Sequence, residues 1–265
     1  AEGRGLNRAA FTEAEVTSAF KKLKQCSNGI DGLSKKFLFP LLQTLIPHVT
    51  ALFSYIFRHG VAVEDWALAV IVSLKKKETS VTSMDNMRGV HVLAIFRQWY
   101  CRLLIPRLEA VARRVLPDEQ QGFRPEGRIY ASFLSLYSLL ENARLRKELL
   151  YICFIDTQKA FPSVRRDLLL QQLAAAGADD DLLRALHVLY SDTRACIRSA
   201  DGYGSIFDIF LGTREGGVES PILFSLFVFD LVEKLSAVEL DSSPLLLGGT
   251  EIRMLQFADD IVLIA

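Results

Sequence analysis

The chain has 265 residues, half of them hydrophobic and 23% charged, which excludes a disordered polyampholyte and is long enough for one large domain or two subdomains. Lys plus Arg equal Asp plus Glu at 31 each, yet residues 1–150 hold 22 basic against 14 acidic side chains and residues 151–265 hold 9 against 17. A basic half beside an acidic half suits a protein that grips a polyanion with one part and cations with the other.

Residues 1–10 are polar and mixed in charge, unlike a secretory leader. Thr12-Glu13-Ala14-Glu15 is a capping box that opens a helix running to about Lys24. A glycine-containing loop at 27–32 follows, then helices near 34–46 and 48–58. Residues 37–57 carry no charged side chain and match a bilayer span in length. Pro40 and Pro47 break that stretch, with Gln43 and His48 inside it, so it reads as two short buried helices. Residues 66–74 form an apolar strand that ends in Lys75-Lys76-Lys77, and residues 79–86 a flexible loop. Helices are expected over 90–116 and 128–147.

Tyr151-Ile152-Cys153-Phe154-Ile155 is an apolar run that stops at Asp156. A helix over 166–176 is ended by Gly177, and Asp179-Asp180-Asp181 opens the next with charges suited to its dipole. Residues 194–199 and 205–211 flank Asp201-Gly202-Tyr203-Gly204 as a hairpin. Ser220 caps, and Pro221 starts, a helix through about Ser236. Strands at 252–257 and 261–265 meet at the polar corner Asp259-Asp260. Helices early and strands interleaved with helices later give a mixed α+β fold. The cysteines (Cys26, Cys101, Cys153, Cys196) have no Cys-x-x-Cys spacing and the four histidines no metal-ligand spacing, so reduced thiols are expected rather than disulfides or zinc.

Two adjacent carboxylates at a hairpin tip repel each other, and a divalent ion with oxygen ligands offsets that repulsion. The plain alternative is a solvated Asp-Asp turn. Asp156, ending a strand of its own, could supply a third carboxylate from across a sheet. Three carboxylates from two strand ends can hold two ions about 4 Å apart, the clamp used in phosphoryl transfer.

Six blocks, in order from about residue 26 to the C-terminus, resemble one family. They are Asn28-Gly29-Ile30-Asp31-Gly32, Asn86-Met87-Arg88-Gly89-Val90 and Gln121-Gly122-Phe123-Arg124-Pro125. Phe154-Ile155-Asp156 with Lys159-Ala160-Phe161 follows. Gly212-Thr213-Arg214-Glu215-Gly216 with Ser220-Pro221-Ile222-Leu223-Phe224, and Phe257-Ala258-Asp259-Asp260, complete the set. The chain is similar in these blocks to reverse transcriptases, most like those of non-LTR retrotransposons.

That resemblance implies the fingers and palm of a right-hand polymerase. Residues 1–150 would be a mostly helical, basic fingers region, and residues 151–265 a palm whose antiparallel sheet packs on helices. The chain ends five residues after Asp260 and begins without Met, so it reads as an interior piece without the thumb. The implied activity is RNA-directed DNA synthesis with Mg²⁺, Mn²⁺ being an alternative ion. The implied partners are an RNA template, a DNA primer and deoxynucleoside triphosphates. No membrane partner is expected, and the location would be intracellular, nuclear or cytoplasmic, rather than secreted.

By the same resemblance Asp156, Asp259 and Asp260 are catalytic and bind metal, helped by the backbone carbonyl of Thr157. Arg88 and one lysine, Lys75 or Lys76, would hold the triphosphate. Phe161 would be the aromatic gate beneath the sugar, leaving no room for a 2′-hydroxyl. Glu215 and Gly216, in the glycine-rich loop at 212–217, would lie beside the nucleotide. Gly122, Arg124, Ser220 and Pro221 would face nucleic acid. Two positions depart from the family pattern: Glu215 stands where glutamine is usual and Pro162 where aspartate is usual. A decayed or domesticated copy serving as a binding module is therefore the competing reading. An RNA-directed RNA polymerase is disfavoured by Phe161, and an intron-maturase or retron relative is a further alternative.

Overall fold

The computed structural model describes residues 11–24, 28–75, 86–124, 129–238, 246–247 and 249–265. Thr12 caps α1 (Glu13–Lys21) with both arms of the expected box: its hydroxyl accepts from the Glu15 N–H, and the Glu15 carboxylate accepts from the Thr12 N–H. α2 (Lys35–Leu38) and a 3₁₀ turn at Phe39–Leu41 lead into α3 (Leu42–His59), which ends on left-handed Gly60.

The break expected at Pro47 does not occur. Leu42, Ile46, Val49, Phe53, Ile56 and Phe57 form one buried stripe on both sides of it. Burying each large side chain contributes roughly 1.5–3 kcal/mol, and together they outweigh the roughly 3 kcal/mol penalty of an interior proline. Among the described residues, Lys35–His59 is long and apolar enough to cross a membrane by length and composition. Its helix α3 is two-faced, packed against α1 on the buried stripe and exposing Leu52 and Tyr55.

α4 (Glu64–Ala67) takes Trp66 and Ala67 out of the expected strand, which begins later as β1 (Leu68–Lys75). Glu64 and Asp65 favour the first turn of a helix, and Trp66 is drawn in against Phe53 and Tyr100. Residues 90–92, expected as helix, belong instead to β2 (Met87–Val92), because Val90 and Val92 pair across to Val72 and Val70. The helix follows as α5 (Ile95–Val115). The loop expected at 79–86 lies, but for Asn86, outside the described residues.

α6 (Ile129–Arg146), β3 (Ile152–Ile155), a short α7 (Ala160–Ser163), α8 (Arg166–Ala175) and α9 (Asp180–Ser191) come next. Gly177 takes the left-handed conformation after α8, and the Asp179 carboxylate accepts from the Leu182 N–H to cap α9. β4 (Arg194–Ser199) turns directly into β5 (Gly202–Tyr203), so the corner is tighter than expected, and β6 (Phe207–Asp208) pairs with β4 as well.

The single helix expected from Ser220 is two, α10 (Ser220–Phe227) and α11 (Leu231–Ser236). Ser220 is not the cap. Glu219 occupies that position and Ser220 lies in the first turn beside Pro221. Asp230 sits at the break, where its carboxylate accepts from Gln172 and Lys234. β7 (Leu246–Leu247), β8 (Thr250–Glu251), β9 (Met254–Phe257) and β10 (Asp260–Ile264) complete the described elements.

Two sheets organise the fold. The larger runs β2-β1-β4-β5, with β1 antiparallel to β2 and parallel to β4. The smaller, β3-β10-β9, is antiparallel throughout. The main core gathers around α5, which packs on α1 and α10. Trp99 is its pivot: its indole N–H donates to the Val16 carbonyl at 2.8 Å, and its ring meets Phe20, Phe53 and Phe96.

Candidate active site

The smaller sheet brings the predicted carboxylates into neighbouring strands. Ile155 pairs with Ile261, so Asp156 leaves the end of β3 beside the start of β10, where Asp260 pairs with Phe257. Ala258 and Asp259 are the two residues of the intervening turn. The Thr157 hydroxyl donates to the Asp259 carbonyl at 3.2 Å, tying the end of β3 to that turn. Among the described residues, no group of three or more His, Cys, Asp or Glu closes into a metal-holding cluster. The donors at this corner are nonetheless all oxygen, the set that suits a hard divalent ion such as Mg²⁺ or Mn²⁺ rather than zinc.

A third segment grips the turn from behind. The Gln256 N–H donates to the Glu119 carbonyl and the Gln121 N–H to the Gln256 carbonyl, each at 2.9 Å, in a parallel bridge beside β9. Gly122 then passes so close that a β-carbon on it would lie 2.1 Å from the Ala258 nitrogen. Only glycine permits that approach. Gly122 is thus placed at the carboxylate corner, where it supports backbone.

Phe123 continues the same segment. Its ring lies 6.1 Å from that of Phe161, which in turn lies 5.3 Å from Phe224. Phe161, on α7 after the Asp156 strand, is therefore a half-buried member of an aromatic row. Arg124 turns back on its own loop: one guanidinium nitrogen donates to the Pro117 carbonyl at 2.8 Å and lies 3.4 Å from the Asp118 carboxylate.

The loop 212–220 leans on α7 and on β2. Gly212 donates to the Val164 carbonyl and Thr213 to the Phe161 carbonyl. Gly212, at φ 83, would carry any β-carbon to within 2.6 Å of the Pro162 Cα. The His91 N–H donates to the Glu215 carbonyl at 3.1 Å. Gln98 brackets the next turn, its amide donating to the Gly216 carbonyl at 2.8 Å and accepting from the Val218 N–H at 3.2 Å. Gly216 is exposed and Glu215 half-exposed.

Beneath this loop lies a fully buried ion pair. Arg97 reaches Glu219 at 2.7 Å with neither side chain exposed, and the Tyr190 hydroxyl donates to the same carboxylate oxygen at 2.9 Å. Burial opposes charge on Glu219, but Arg97 overrides it and holds the carboxyl below its usual range. Arg214 donates to the Ala67 and Arg194 carbonyls, and the Ser220 hydroxyl to the Arg214 carbonyl. Burial, then Arg97, lowers Arg214 to about 9. Burial, Arg214 and Arg97 lower His91 to about 4. Ser220 is thereby turned inward, and neighbouring Pro221 is half-exposed.

Lys75 is exposed at the end of β1, paired with Met87, while the Arg88 backbone pairs with Leu74. Lys75 and Arg88 thus lie on adjacent strands, and the β2 that carries Arg88 also holds the Glu215 carbonyl through His91. Lys76 and the side chain of Arg88 fall outside the described residues. Buried polar residues at the site that escape the sequence reading include Arg97, Gln98, Gln120, Glu219 and Gln256. For three of them a signal exists, since Arg97 and Gln98 interrupt an apolar helix run and Glu219 opens another.

The family described as reverse transcriptase (RNA-dependent DNA polymerase) matches residues 74–265. The chain is 27% identical over 220 residues to a probable RNA-directed DNA polymerase from transposon BS of Drosophila melanogaster, covering 82% of this chain and 24% of that protein. It is 25% identical over 247 residues to the RNA-directed DNA polymerase from mobile element jockey of the same species, covering 92% and 27%. It is 24% identical to the Pol polyprotein of retrotransposable element R2 from Nasonia vitripennis, covering 82% and 20%. The chain thus spans about a quarter of the length of these relatives. Among solved structures, apo telomerase from Candida tropicalis superposes with a TM-score of 0.51 at 13% identity, covering 81% of this chain and 48% of that one. Telomerase from Candida albicans, in complex with a fragment of telomeric RNA, gives 0.52 at 10% identity, covering 81% and 40%. The family match spans well over half of the chain, and the chain belongs to the reverse transcriptase family, with distant homology to the enzymes of non-LTR retrotransposons.

Proposed function

We propose that this chain is the fingers (residues 1–150) and palm (residues 151–265) of an RNA-directed DNA polymerase. It would extend a DNA primer on an RNA template with deoxynucleoside triphosphates. The observation that carries the reading is the adjacency of Asp156, at the end of β3, to the Asp259-Asp260 corner of β9 and β10 in one antiparallel sheet.

Asp156 and Asp259, with Asp260 and the Thr157 carbonyl, would hold the divalent ions. When bound, Mg²⁺ supplies a more acidic primer hydroxyl and neutralises charge on the triphosphate. The rest of the work falls to protein side chains. Lys75 and Arg88 hold the triphosphate from β1 and β2, with Lys76 as the other lysine candidate. Phe161 bounds the sugar, and its place between Phe123 and Phe224 keeps the ring from yielding to a 2′-hydroxyl. Glu215 and Gly216 present backbone beside the base pair, while the Glu215 carboxylate adds negative charge near the triphosphate. Gly122, Arg124, Ser220 and Pro221 shape the side toward nucleic acid, the first through close backbone packing and the third through its hydroxyl bond to the Arg214 carbonyl. The protein would act inside the cell, in nucleus or cytoplasm.

A second reading, a binding module that no longer polymerises, draws on the open carboxylate corner and on Glu215 in place of glutamine. Primer extension separates the two. The chain, joined to a thumb domain from a relative, is given an RNA template, a DNA primer, Mg²⁺ and either deoxynucleotides or ribonucleotides. Extension with deoxynucleotides that Asp259→Asn abolishes, and ribonucleotide use that rises at least about tenfold in Phe161→Val, support the polymerase. Primer–template binding without extension in the folded protein leaves the binding module.

A further inference from the structure

The turn that presents Asp259 is built on an unfavourable backbone. Ala258 has φ 62, a left-handed conformation that glycine ordinarily supplies at this point of a two-residue hairpin. For an L-residue with a β-carbon it costs roughly 1–2 kcal/mol, so something must over-determine it. Two buried side chains do. Gln120, 1% exposed, has its Oε1 facing two N–H groups, accepting from Gly122 at 2.8 Å and from Ala258 at 3.1 Å. Two donors converging on one atom identify that atom as the oxygen. Its Nε2 faces the Ala258 carbonyl at 3.4 Å, and Gln256, 2% exposed, donates to the same carbonyl at 2.9 Å. Both polar groups of the Ala258 backbone are thus held by neutral amides.

We infer that Gln120 is a positioning residue: by holding Ala258 in its left-handed conformation, it sets the direction in which the next residue, Asp259, presents its carboxylate. Gln120 is buried behind the turn, bonded to the Ala258 and Gly122 backbone, and acts through the turn. The consequence for metal binding rests on the proposed function, whereas the holding of the turn does not. A hydrophobic residue of similar length at position 120 would leave the Ala258 and Gly122 N–H groups without their acceptor. The Gly122 loss is common to both backgrounds of a cycle with Ala258→Gly, so the cycle isolates the part that acts through the turn.

The test is a double-mutant cycle between Gln120→Met and Ala258→Gly, because glycine adopts this φ unaided. Two quantities are measured in all four proteins: Mn²⁺ affinity by electron paramagnetic resonance, and hydrogen exchange of the Ala258 amide. Gln120→Met is expected to weaken Mn²⁺ binding about tenfold or more, the usual size of an outer-shell effect, and to speed exchange at Ala258. In the Ala258→Gly background the loss of affinity should shrink to about threefold or less. Equal losses in both backgrounds, or affinity within twofold of the parent, would overturn the inference and reduce Gln120 to ordinary packing. If Gln120→Met fails to fold, the parent protein decides: a protected Ala258 amide supports the inference, and exchange at the rate of an open turn overturns it. Should the parent bind no Mn²⁺, the metal site of the proposed function falls, and exchange at Ala258 in the four proteins still decides the inference.

Discussion

The two backbone segments that frame the site share glutamine amides but differ in buried charge. The loop 212–220, bracketed by the Gln98 amide, also has charge sealed beneath it, the Arg97–Glu219 pair with Arg214 beside it. The turn at 258–259 is held by neutral glutamine amides. The duties proposed for them explain the contrast. The loop would offer backbone to a nucleotide, so charges sealed beneath it would not compete with the ligand. The turn would offer a carboxylate, and a guanidinium in the place of Gln120 would neutralise the charge that a metal ion needs. Amides fix geometry and leave that charge free.

Removing one half of the buried pair breaks the contrast most severely. Glu219→Ala leaves Arg97 charged and uncompensated, and should lower stability by about 3–5 kcal/mol in urea denaturation. Replacing both, Arg97→Met with Glu219→Leu, should return stability to within about 2 kcal/mol of the parent, because an apolar pair removes both desolvation penalties. A single variant as stable as the parent would mean the pair does not hold the loop.

The charged region should also respond to acid. Folded His91 protonates at about 4, against about 6.5 in the unfolded chain. Between those values the unfolded chain binds more protons, so stability declines as pH falls from 6.5 to 4, by about 2–3 kcal/mol in all. Glu219, also lowered, acts in the same direction, its contribution being lost as pH falls through its folded value. Denaturation profiles of His91→Gln should be flatter over that window, and an unchanged slope would remove His91 from the account. The neutral region gives a smaller effect. Gly122→Ala forces a β-carbon against the Ala258 backbone, where nothing flexible can yield, and should destabilise by about 1–2 kcal/mol while speeding exchange across 254–262.

Local and block-like signals were legible in the sequence. Thr12 and Glu15 announce their own capping box, Gly177 ends its helix, and Asp156 stands where an apolar run stops. Asp156, Asp259 and Asp260 each lie at a change of pattern, which makes them visible in the sequence. Long-range pairing was not legible. Arg97 meets Glu219 across 122 positions and Gln120 meets Ala258 across 138, and a glutamine two residues before a glycine looks like any loop residue. Pro47 misled for the same reason, since its helix is kept by a stripe packed on distant elements. Val90 and Val92 joined a strand because β1 was there to pair with them.

The corner of Asp156 and Asp259 is proposed as a divalent-metal site. It is tested most directly by titrating Mn²⁺ into the chain, Asp156→Asn and Asp259→Asn, followed by electron paramagnetic resonance at pH 7. The account predicts saturable binding by the parent and a loss of about tenfold or more in each folded variant. Equal affinity in all three proteins, or no binding by the parent at millimolar Mn²⁺, would contradict it.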